Sequence, residues 1–159
     1  MATSYLISKG HKKIGFIEGD SRLSAIERKN GYLSAMNEAG YPIMPNTMIK
    51  ANYNEEMAYT ETKKLLKSAD ITALFCSNDI MAMGAIKAIE EEGLRVPEDI
   101  SIVGFDNHDF SKFIKHKITS VYIDLEEVAK KCVDSVFEEP PFIKFCIPKI
   151  SEGTSTKAI

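Results

Sequence analysis

Four short runs of apolar residues divide the first two thirds of the chain. They cover residues 14–17, 48–49, 73–76 and 102–105. Because these runs do not alternate with polar residues, they are typical of strands that are buried on both faces of a parallel sheet. A further strand is predicted over residues 119–123, and the run at 48–49 gives the weakest pattern.

Helical patterns lie between these runs. The first helix is predicted over about residues 24–39, where Ser24 and Glu27 fit a capping box and Gly40 fits a C-terminal stop. The pattern therefore predicts a helix that begins and ends on local sequence features.

Three more helices follow along the chain. One is predicted from Asn54, its N-cap, to about residue 67. The next, over about residues 79–92, carries apolar side chains around most of its circumference before Gly93 ends it. Such a helix needs a second burying surface, which is either another element of this chain or another copy of it. The last is predicted over about residues 125–137.

The alternation of strands and helices predicts an α/β fold with a doubly wound, mostly parallel sheet and helices on both faces. The 159 residues are 44% hydrophobic and 27% charged, which suits one soluble globular domain. The net charge is −3 and the basic residues are scattered, so this part of the protein is not expected to bind DNA itself. Without a membrane-length apolar run or a signal-peptide pattern, we expect a cytoplasmic protein with no membrane partner.

Motifs for metal binding and catalysis are missing from the sequence. The three cysteines have no CxxC spacing and are expected to be ordinary buried thiols, and the histidines show no metal-ligand spacing. No predicted strand is followed by a GxGxxG, GxxxxGK[ST] or GxSxG motif. We therefore predict no catalytic residue, no metal and no cofactor. The cysteines are Cys76, Cys132 and Cys146.

Polar residues follow each predicted strand. They comprise Glu18 to Asp20, Asn52 and Tyr53, Ser77 to Asp79, and Asp106 and Asn107. Ligands of open α/β sheets bind beyond the carboxyl ends of the strands, and Arg28 lies where it can point to the same rim. Carboxylates and amides suit vicinal hydroxyls, arginine adds a planar fork of donors, and a tyrosine ring stacks on a sugar face. The rim therefore predicts a site for a small hydroxylated molecule.

Two other interpretations of this rim stay open. Ser, Asn and Asp also act as helix caps and turn residues for local reasons, and this role is favoured for Ser77 and Asp79. An acidic metal site made of Asp20, Asp79 and Asp106 is disfavoured, because Arg28 would compete with the ion.

Several segments resemble one known family. Residues 94–106, LRVPEDISIVGFD, are very similar to the LRVPEDISVVGFD signature of the LacI/GalR family of bacterial transcription repressors. Residues 5–14 resemble its YLxxxGHxxI opening, residues 28–32 its RxxGY segment and residues 78–84 its NDxMAxG segment. Residues 152–155 give a fainter similarity to its terminal strand. The chain is identified as a member of this family.

The resemblance implies a fold like that of type I periplasmic sugar-binding proteins, in which two α/β subdomains clamp a small-molecule effector. Residues at three positions match effector-contacting positions of the family, and a fourth falls where an aromatic ring usually packs on the ligand. Together with one acidic residue of the rim, the expected ligand-binding residues are Arg28, Tyr53, Asn78, Asp106 and Asp20.

The sequence begins about midway through the family pattern. We expect residues 1–122 to be the C-terminal subdomain of the effector-binding domain, and residues 123–159 to be a crossover helix and tail that pack partly on an N-terminal subdomain. The family binds DNA only through an N-terminal headpiece, so this chain alone is not expected to bind operator DNA. An effector needs a second wall to bury most of its surface, so the chain alone is not expected to bind effector with useful affinity either. The apolar residues expected to lack their partner are Val128, Cys132, Val136 and Phe137.

The resemblance also implies a homodimer, formed through the apolar helix and the segment near residues 110–118. The expected interface residues are Met81, Ala85, Ile89, Phe110 and Phe113. The alternative is that the helix is buried within one monomer.

These expectations support the effector-sensing and dimerisation portion of a repressor. The main alternative is a sugar-binding module of a transporter or receptor with the same fold, and an enzyme is a weaker third. The VPEDISIVGFD stretch and the lack of a signal-peptide pattern favour the repressor.

Overall fold

The computed structural model describes residues 1–109, 115–137 and 143–159. Helices and strands alternate along these residues. They are α1 (Ala2–Ser8), β1 (Ile14–Glu18), α2 (Leu23–Glu38), β2 (Met48–Lys50), α3 (Glu55–Ser68), β3 (Ala73–Cys76), α4 (Asp79–Glu91), β4 (Ser101–Phe105), β5 (Thr119–Tyr122), α5 (Leu125–Ser135) and β6 (Lys149–Ser151).

The strands form one sheet in the order β2-β1-β3-β4-β5-β6. The first five strands along the chain pair in parallel, while β6 runs antiparallel to β5. Strands β1, β3 and β4 are almost entirely buried, as their unbroken apolar runs predict. The chain leaves β1 toward β2 and returns to β3 on the other side, so the carboxyl ends of β1 and β3 form the switch point where α/β proteins bind ligands.

The two faces of the sheet carry different helices. One core contains Leu6 of α1 and Tyr32 of α2 against Phe16, whose ring stacks on that of Tyr32 with 5.1 Å between the ring centres. The other core contains the buried faces of α3 and α4 against Leu74 and Ile102. The predicted doubly wound α/β sheet with helices on both faces is confirmed.

Local sequence features set most helix ends. Asn54 caps α3 by accepting a hydrogen bond from a backbone N–H, and Gly40 follows α2 with a φ of +70°. The predicted capping box of Ser24 and Glu27 is wrong, because α2 begins one residue earlier and its N-cap, Arg22, makes no side-chain cap.

Helix α4 is buried inside this chain. Met81, Ala85 and Ile89 have no exposed surface, so the prediction that they form a dimer interface is wrong. Their cover is α3, which approaches so closely that a Cβ on Gly84 would collide with the backbone of Glu55. The other two predicted interface residues, Phe110 and Phe113, lie outside the described residues.

The end of the chain returns to the sheet. Strand β6 lies just before the predicted similarity at 152–155, and the Ser155 hydroxyl donates to the carbonyl of Ile102 at 2.7 Å. The backbone N–H of Ile159 donates to the carbonyl of Lys9 at 2.9 Å. Residues 149–159 therefore pack on the unit that was expected to end at residue 122.

Helix α5 contains no buried residue. Val136 and Phe137 just after it are 77% and 85% exposed, and Val128 is half-buried. Most of the apolar face of this helix is thus exposed among the described residues, and its packing on another subdomain stays a prediction. Cys132 is exposed and Cys146 is half-buried, so the expectation of buried thiols holds only for Cys76.

Candidate functional site

Arg28 lies at the centre of the rim formed by the carboxyl ends of the strands. Its Nη1 donates to the backbone carbonyl of Ser77 at 2.5 Å, and its guanidinium carbon lies 3.7 Å from the ring centre of Phe105. Its Nη2 is 3.5 Å from Oδ1 of Asp106. The carbonyl and the ring hold the guanidinium in place by a hydrogen bond and a cation–π contact. The expected juxtaposition of Arg28 and Asp106 is present; that they bind a ligand stays a prediction.

Both charges of this pair remain accessible. The side chain of Arg28 is 18% exposed and that of Asp106 is 34% exposed. At 3.5 Å the pair is longer than a typical charge-assisted hydrogen bond, so each partner retains the capacity to bind a polar molecule.

Asp106 stands on a turn with an unusual backbone. Asp106 and Asn107 have φ values of +99° and +55°, a region in which Asp and Asn are the commonest residues apart from glycine. The backbone N–H of Asp106 donates to the carbonyl of Val121 at 2.8 Å. The turn is therefore tied to β5 and directs its carboxylate toward α2.

Asn78 and Ser77 have structural roles at the foot of this rim. Asn78 is buried, and its Oδ1 accepts a hydrogen bond from the backbone N–H of Met81 at 2.9 Å, which caps α4. The Ser77 hydroxyl donates to the carbonyl of Ile17 at 2.8 Å. The Ser77 hydroxyl therefore ties this segment to β1 and does not act as a local cap, while a ligand contact by Asn78 stays a prediction.

Asp79 differs from its expected role as a cap or turn residue. Its side chain is buried and accepts hydrogen bonds from the Ser120 hydroxyl at 2.7 Å and from the backbone N–H of His108 at 2.8 Å. Burial raises the pKa of Asp79 to about 6, although both hydrogen bonds act in the opposite direction. Sequence reasoning missed this contact because Ser120 is far away along the chain.

Asp20 and Tyr53 form a separate part of the rim. Asp20 binds Arg22, whose Nε is 2.7 Å from Oδ2, and this hydrogen bond holds the pKa of Asp20 below its ordinary value. The guanidinium of Arg22 lies 4.7 Å from the ring centre of Tyr53, and the ring packs on Gly19. The described contacts of Asp20 thus run to Arg22, two residues away, and do not bring Asp20 to Arg28.

The hydroxyl of Tyr53 is buried and has no hydrogen-bond partner among the described residues. Tyr53 also has a left-handed backbone, with a φ of +60°. Because this hydroxyl has no partner there, this end of the rim has an unused hydrogen-bond donor and acceptor. A buried hydroxyl without a partner also carries a free-energy cost.

A cavity of about 680 Å³ lies beside the Arg28–Asp106 pair. The segment from Tyr122 to Glu126 also lines this cavity. A second, mainly apolar cavity of about 360 Å³ shares Arg28 and Phe105 with the first. Both volumes fall in the range that small-molecule sites occupy.

Across the described ranges, no group of three or more His, Cys, Asp or Glu residues could hold a metal ion. No helix within the same ranges combines the length and apolar character needed to cross a membrane.

Residues 3–139 match the periplasmic binding protein-like domain family. Two HTH-type transcriptional repressors named PurR, from Pasteurella multocida and Histophilus somni, are 43% and 37% identical to the chain over 140 residues. Each match covers 87% of this chain and 42% of the relative, so the chain spans less than half the length of these relatives.

Solved structures of LacI-family regulators share the fold. A sugar-binding transcriptional regulator from Escherichia coli, in complex with phosphate, superposes with a TM-score of 0.91 at 28% identity, covering 99% of this chain and 59% of that one. The regulator CelR in complex with cellobiose gives 0.84 at 27% identity, covering 97% of this chain and 50% of that one. The chain therefore belongs to the periplasmic binding protein-like family, and within it to the effector-binding domains of LacI/GalR-type transcriptional regulators.

Proposed function

We propose that this chain is the effector-sensing and dimerisation portion of a cytoplasmic LacI/GalR-type transcriptional repressor. A small, sugar-like molecule binds at the rim around Arg28 and Asp106, and its binding changes the DNA affinity of a headpiece outside this chain. The single observation that carries the proposal is the accessible Arg28–Asp106 pair at the switch point of the sheet.

The chemistry of the pair suits a hydroxylated molecule. A hydroxyl group both donates and accepts, so one vicinal diol accepts from the Arg28 fork and donates to the Asp106 carboxylate. The Phe105 ring beneath Arg28 adds an apolar surface to the same site. Binding of this kind needs no covalent chemistry and no cofactor, since it acts through different affinities for two conformational states.

The relatives support both parts of this proposal. The PurR proteins are repressors, and two structural relatives are a sugar-binding regulator and a cellobiose complex. The alternative of a sugar-binding module in a transporter or receptor shares the fold, but the repressor relatives at 43% and 37% identity favour the regulator.

Backbone amide NMR on the 159-residue chain tests the binding site directly. Cellobiose, ribose and adenosine are each added to about 10 mM, a concentration that reveals even millimolar affinity. We expect at least one of them to shift the resonances of Arg28, Asp106 and their neighbours. Adenosine distinguishes a nucleoside effector from a sugar.

The location of the shifts decides the result. Shifts centred on residues 54–60 and Lys87, which line another cavity, would assign binding to a different surface. No shift from any of the three molecules would overturn the proposed site.

A further inference from the structure

Asp79 is a buried carboxylate that the proposed effector contacts do not use. It is the first residue of α4, yet Asn78, and not Asp79, caps the helix. The Asp79 side chain instead lies between β5 and the turn that follows β4. This position connects it to the residue that faces Arg28.

Both carboxylate oxygens hold the turn that carries Asp106. Oδ2 accepts the backbone N–H of His108 at 2.8 Å, and Oδ1 accepts the hydroxyl of Ser120 at 2.7 Å. The oxygen of the same hydroxyl accepts the backbone N–H of Asn107 at 2.9 Å. Asp79 thus fixes two consecutive backbone N–H groups, one directly and one through Ser120.

The turn requires such support because its backbone is left-handed. Asp106 has a φ of +99° and Asn107 one of +55°, and side-chain-bearing residues keep such values only where the surrounding structure enforces them. Gly104 leaves the space for this support, since a Cβ at that position would collide with Oδ1 of Asp79.

We propose that Asp79, acting with Ser120, is a positioning residue of the effector site: it holds the 106–108 turn so that Asp106 faces Arg28, and its protonation loosens the turn. The link to effector binding rests on the proposed function. An ionised carboxylate accepts on both oxygens, whereas a protonated one carries a hydrogen on one of them and loses acceptor strength there. One of the two hydrogen bonds through which Asp79 holds the turn is then weakened or lost.

The protonation falls in an accessible pH range. Burial raises the pKa of Asp79 to about 6, and the nearby Asp106 carboxylate contributes to the increase. Among the described residues, the titratable groups that face Asp79 are Asp106 and His108 on the turn and Cys76 on β3. Burial raises the pKa of Cys76 well above its ordinary value, so this thiol stays neutral, and the β5 partner Ser120 does not titrate.

Amide NMR on this chain tests the hold on the turn without any ligand. The N–H resonances of Asn107 and His108 are followed from about pH 4 to about pH 8. We expect both to titrate together near pH 6 in the wild type, and also in His108→Gln, which removes the imidazole. Asp79→Asn should abolish this step, and Ser120→Ala should abolish it for Asn107.

Two further variants separate position from charge. Gly104→Ala keeps the Asp79 carboxyl but displaces it, so it should reproduce the effect of Asp79→Asn on both resonances. Glu56→Gln removes an exposed carboxylate from the first turn of α3 and serves as the matched control for charge at a helix N-terminus. It should leave the titration unchanged.

Cellobiose, ribose and adenosine are then titrated into wild type and Asp79→Asn. Any of the three that shifts Arg28 and Asp106 should bind about tenfold more weakly to the variant, as expected for a lost hydrogen bond to a charged group. If the pH step responds to Asp79→Asn but none of the three binds the rim, the proposed function fails and the hold on the turn stands. If Asp79→Asn leaves the pH step unchanged, the positioning role is overturned, whichever molecule binds.

Discussion

At the scale of single residues, Arg28 combines three contacts at the rim. Its planar fork donates to the carbonyl of Ser77, stacks on Phe105 and approaches Asp106. Sequence reasoning found Arg28 and Asp106 because the carboxyl ends of parallel strands meet at one rim. It did not predict the pairing of Asp20 with Arg22, since this pairing depends on how the loop before α2 folds.

Replacing Arg28 by Ala should weaken effector binding by about 2–4 kcal/mol, as for a lost hydrogen bond to a charged group. Arg95→Ala is the matched control, because Arg95 also pairs with an aspartate, Asp99, but away from the rim. The difference is measured by calorimetry or NMR titration with whichever of cellobiose, ribose and adenosine binds the rim. Equal affinities for both variants would remove Arg28 from the site.

His11 gives a prediction about pH and stability. It is buried, with Nε2 3.1 Å from the carbonyl of Lys157 and Nδ1 3.0 Å from the hydroxyl of Thr72. Burial lowers the pKa of His11 below its ordinary 6.5, so the unfolded chain binds more protons than the folded one. The contribution of His11 to the free energy of unfolding should therefore fall as the pH drops below about 6.5.

Urea unfolding of wild type and His11→Gln measures this dependence. The difference between the two proteins separates the effect of His11 from that of other titratable groups. One of these is Asp79, whose raised pKa acts with the opposite sign. Its contribution to the free energy of unfolding is present below the ordinary pKa of 3.8 and is lost as the pH rises through about 6. A difference that stays constant from about pH 8 to about pH 5 would contradict the role of His11.

At the scale of elements, the apolar pattern of α4 predicted that the helix needs cover on every side. The pattern could not decide between α3 and a second copy, because both bury the same side chains. The deciding feature is Gly84, which lets the two helices approach. Helix α1 was not predicted at all, since its seven residues are too few to show a clear period.

Gly84→Ala should destabilise the chain although alanine is the better helix former. The new Cβ would meet the backbone carbonyl of Glu55, which cannot move without shifting α3, and overpacking of this kind costs about 1–3 kcal/mol. Gly31→Ala in α2 is the matched control, because nothing lies within 4 Å of its Cβ. It should stabilise the fold by up to about 1 kcal/mol in the same denaturation experiment. Stabilisation by both substitutions would show that α3 and α4 do not pack as described.

We expect self-association to use side chains that α3 and α4 leave exposed. Ile80 is 37% exposed and Met57 is 40% exposed, whereas Met81 is fully buried. We expect the chain to dimerise at high micromolar concentration, and Ile80→Glu to weaken the dimer at least about tenfold by placing a charge in the contact.

Sedimentation velocity measures the dimer dissociation constant for both proteins. Lys87→Gln, which also lowers the net charge by one at an exposed position of α4, controls for net charge. A wild type that stays monomeric throughout the concentration range would contradict a homodimer formed through the exposed side chains of α3 and α4.

At the scale of the whole molecule, the end of the chain completes the sheet and contacts the segment after α1. The last residues return from α5 as β6, and the backbone of Ile159 binds that of Lys9. The strand pattern could not predict this, because β6 has only three residues and follows an apolar stretch without alternation. The βαβ connections did predict that the strands from β1 to β4 pair in parallel.

The rim is open on the side that α5 borders. Leu125 and Phe137 are 77% and 85% exposed, and Ile143 and Phe145 reach 80% and 78%. We expect this exposed apolar surface to contact another protein surface. A molecule at the Arg28–Asp106 pair therefore has one wall and remains hydrated on the other side.

This geometry sets the affinity expected of the chain by itself. Small-molecule sites bury most of the surface of their ligand, and a single wall leaves the polar groups of a sugar exchanging hydrogen bonds with water. Cellobiose, ribose and adenosine should therefore bind this chain with dissociation constants well above about 1 μM in calorimetry, even where NMR detects them at the rim. Operator DNA should not bind, because the net charge is −3 and the basic residues are dispersed. A submicromolar dissociation constant for any of the three molecules would mean that the described residues enclose the ligand without a second wall.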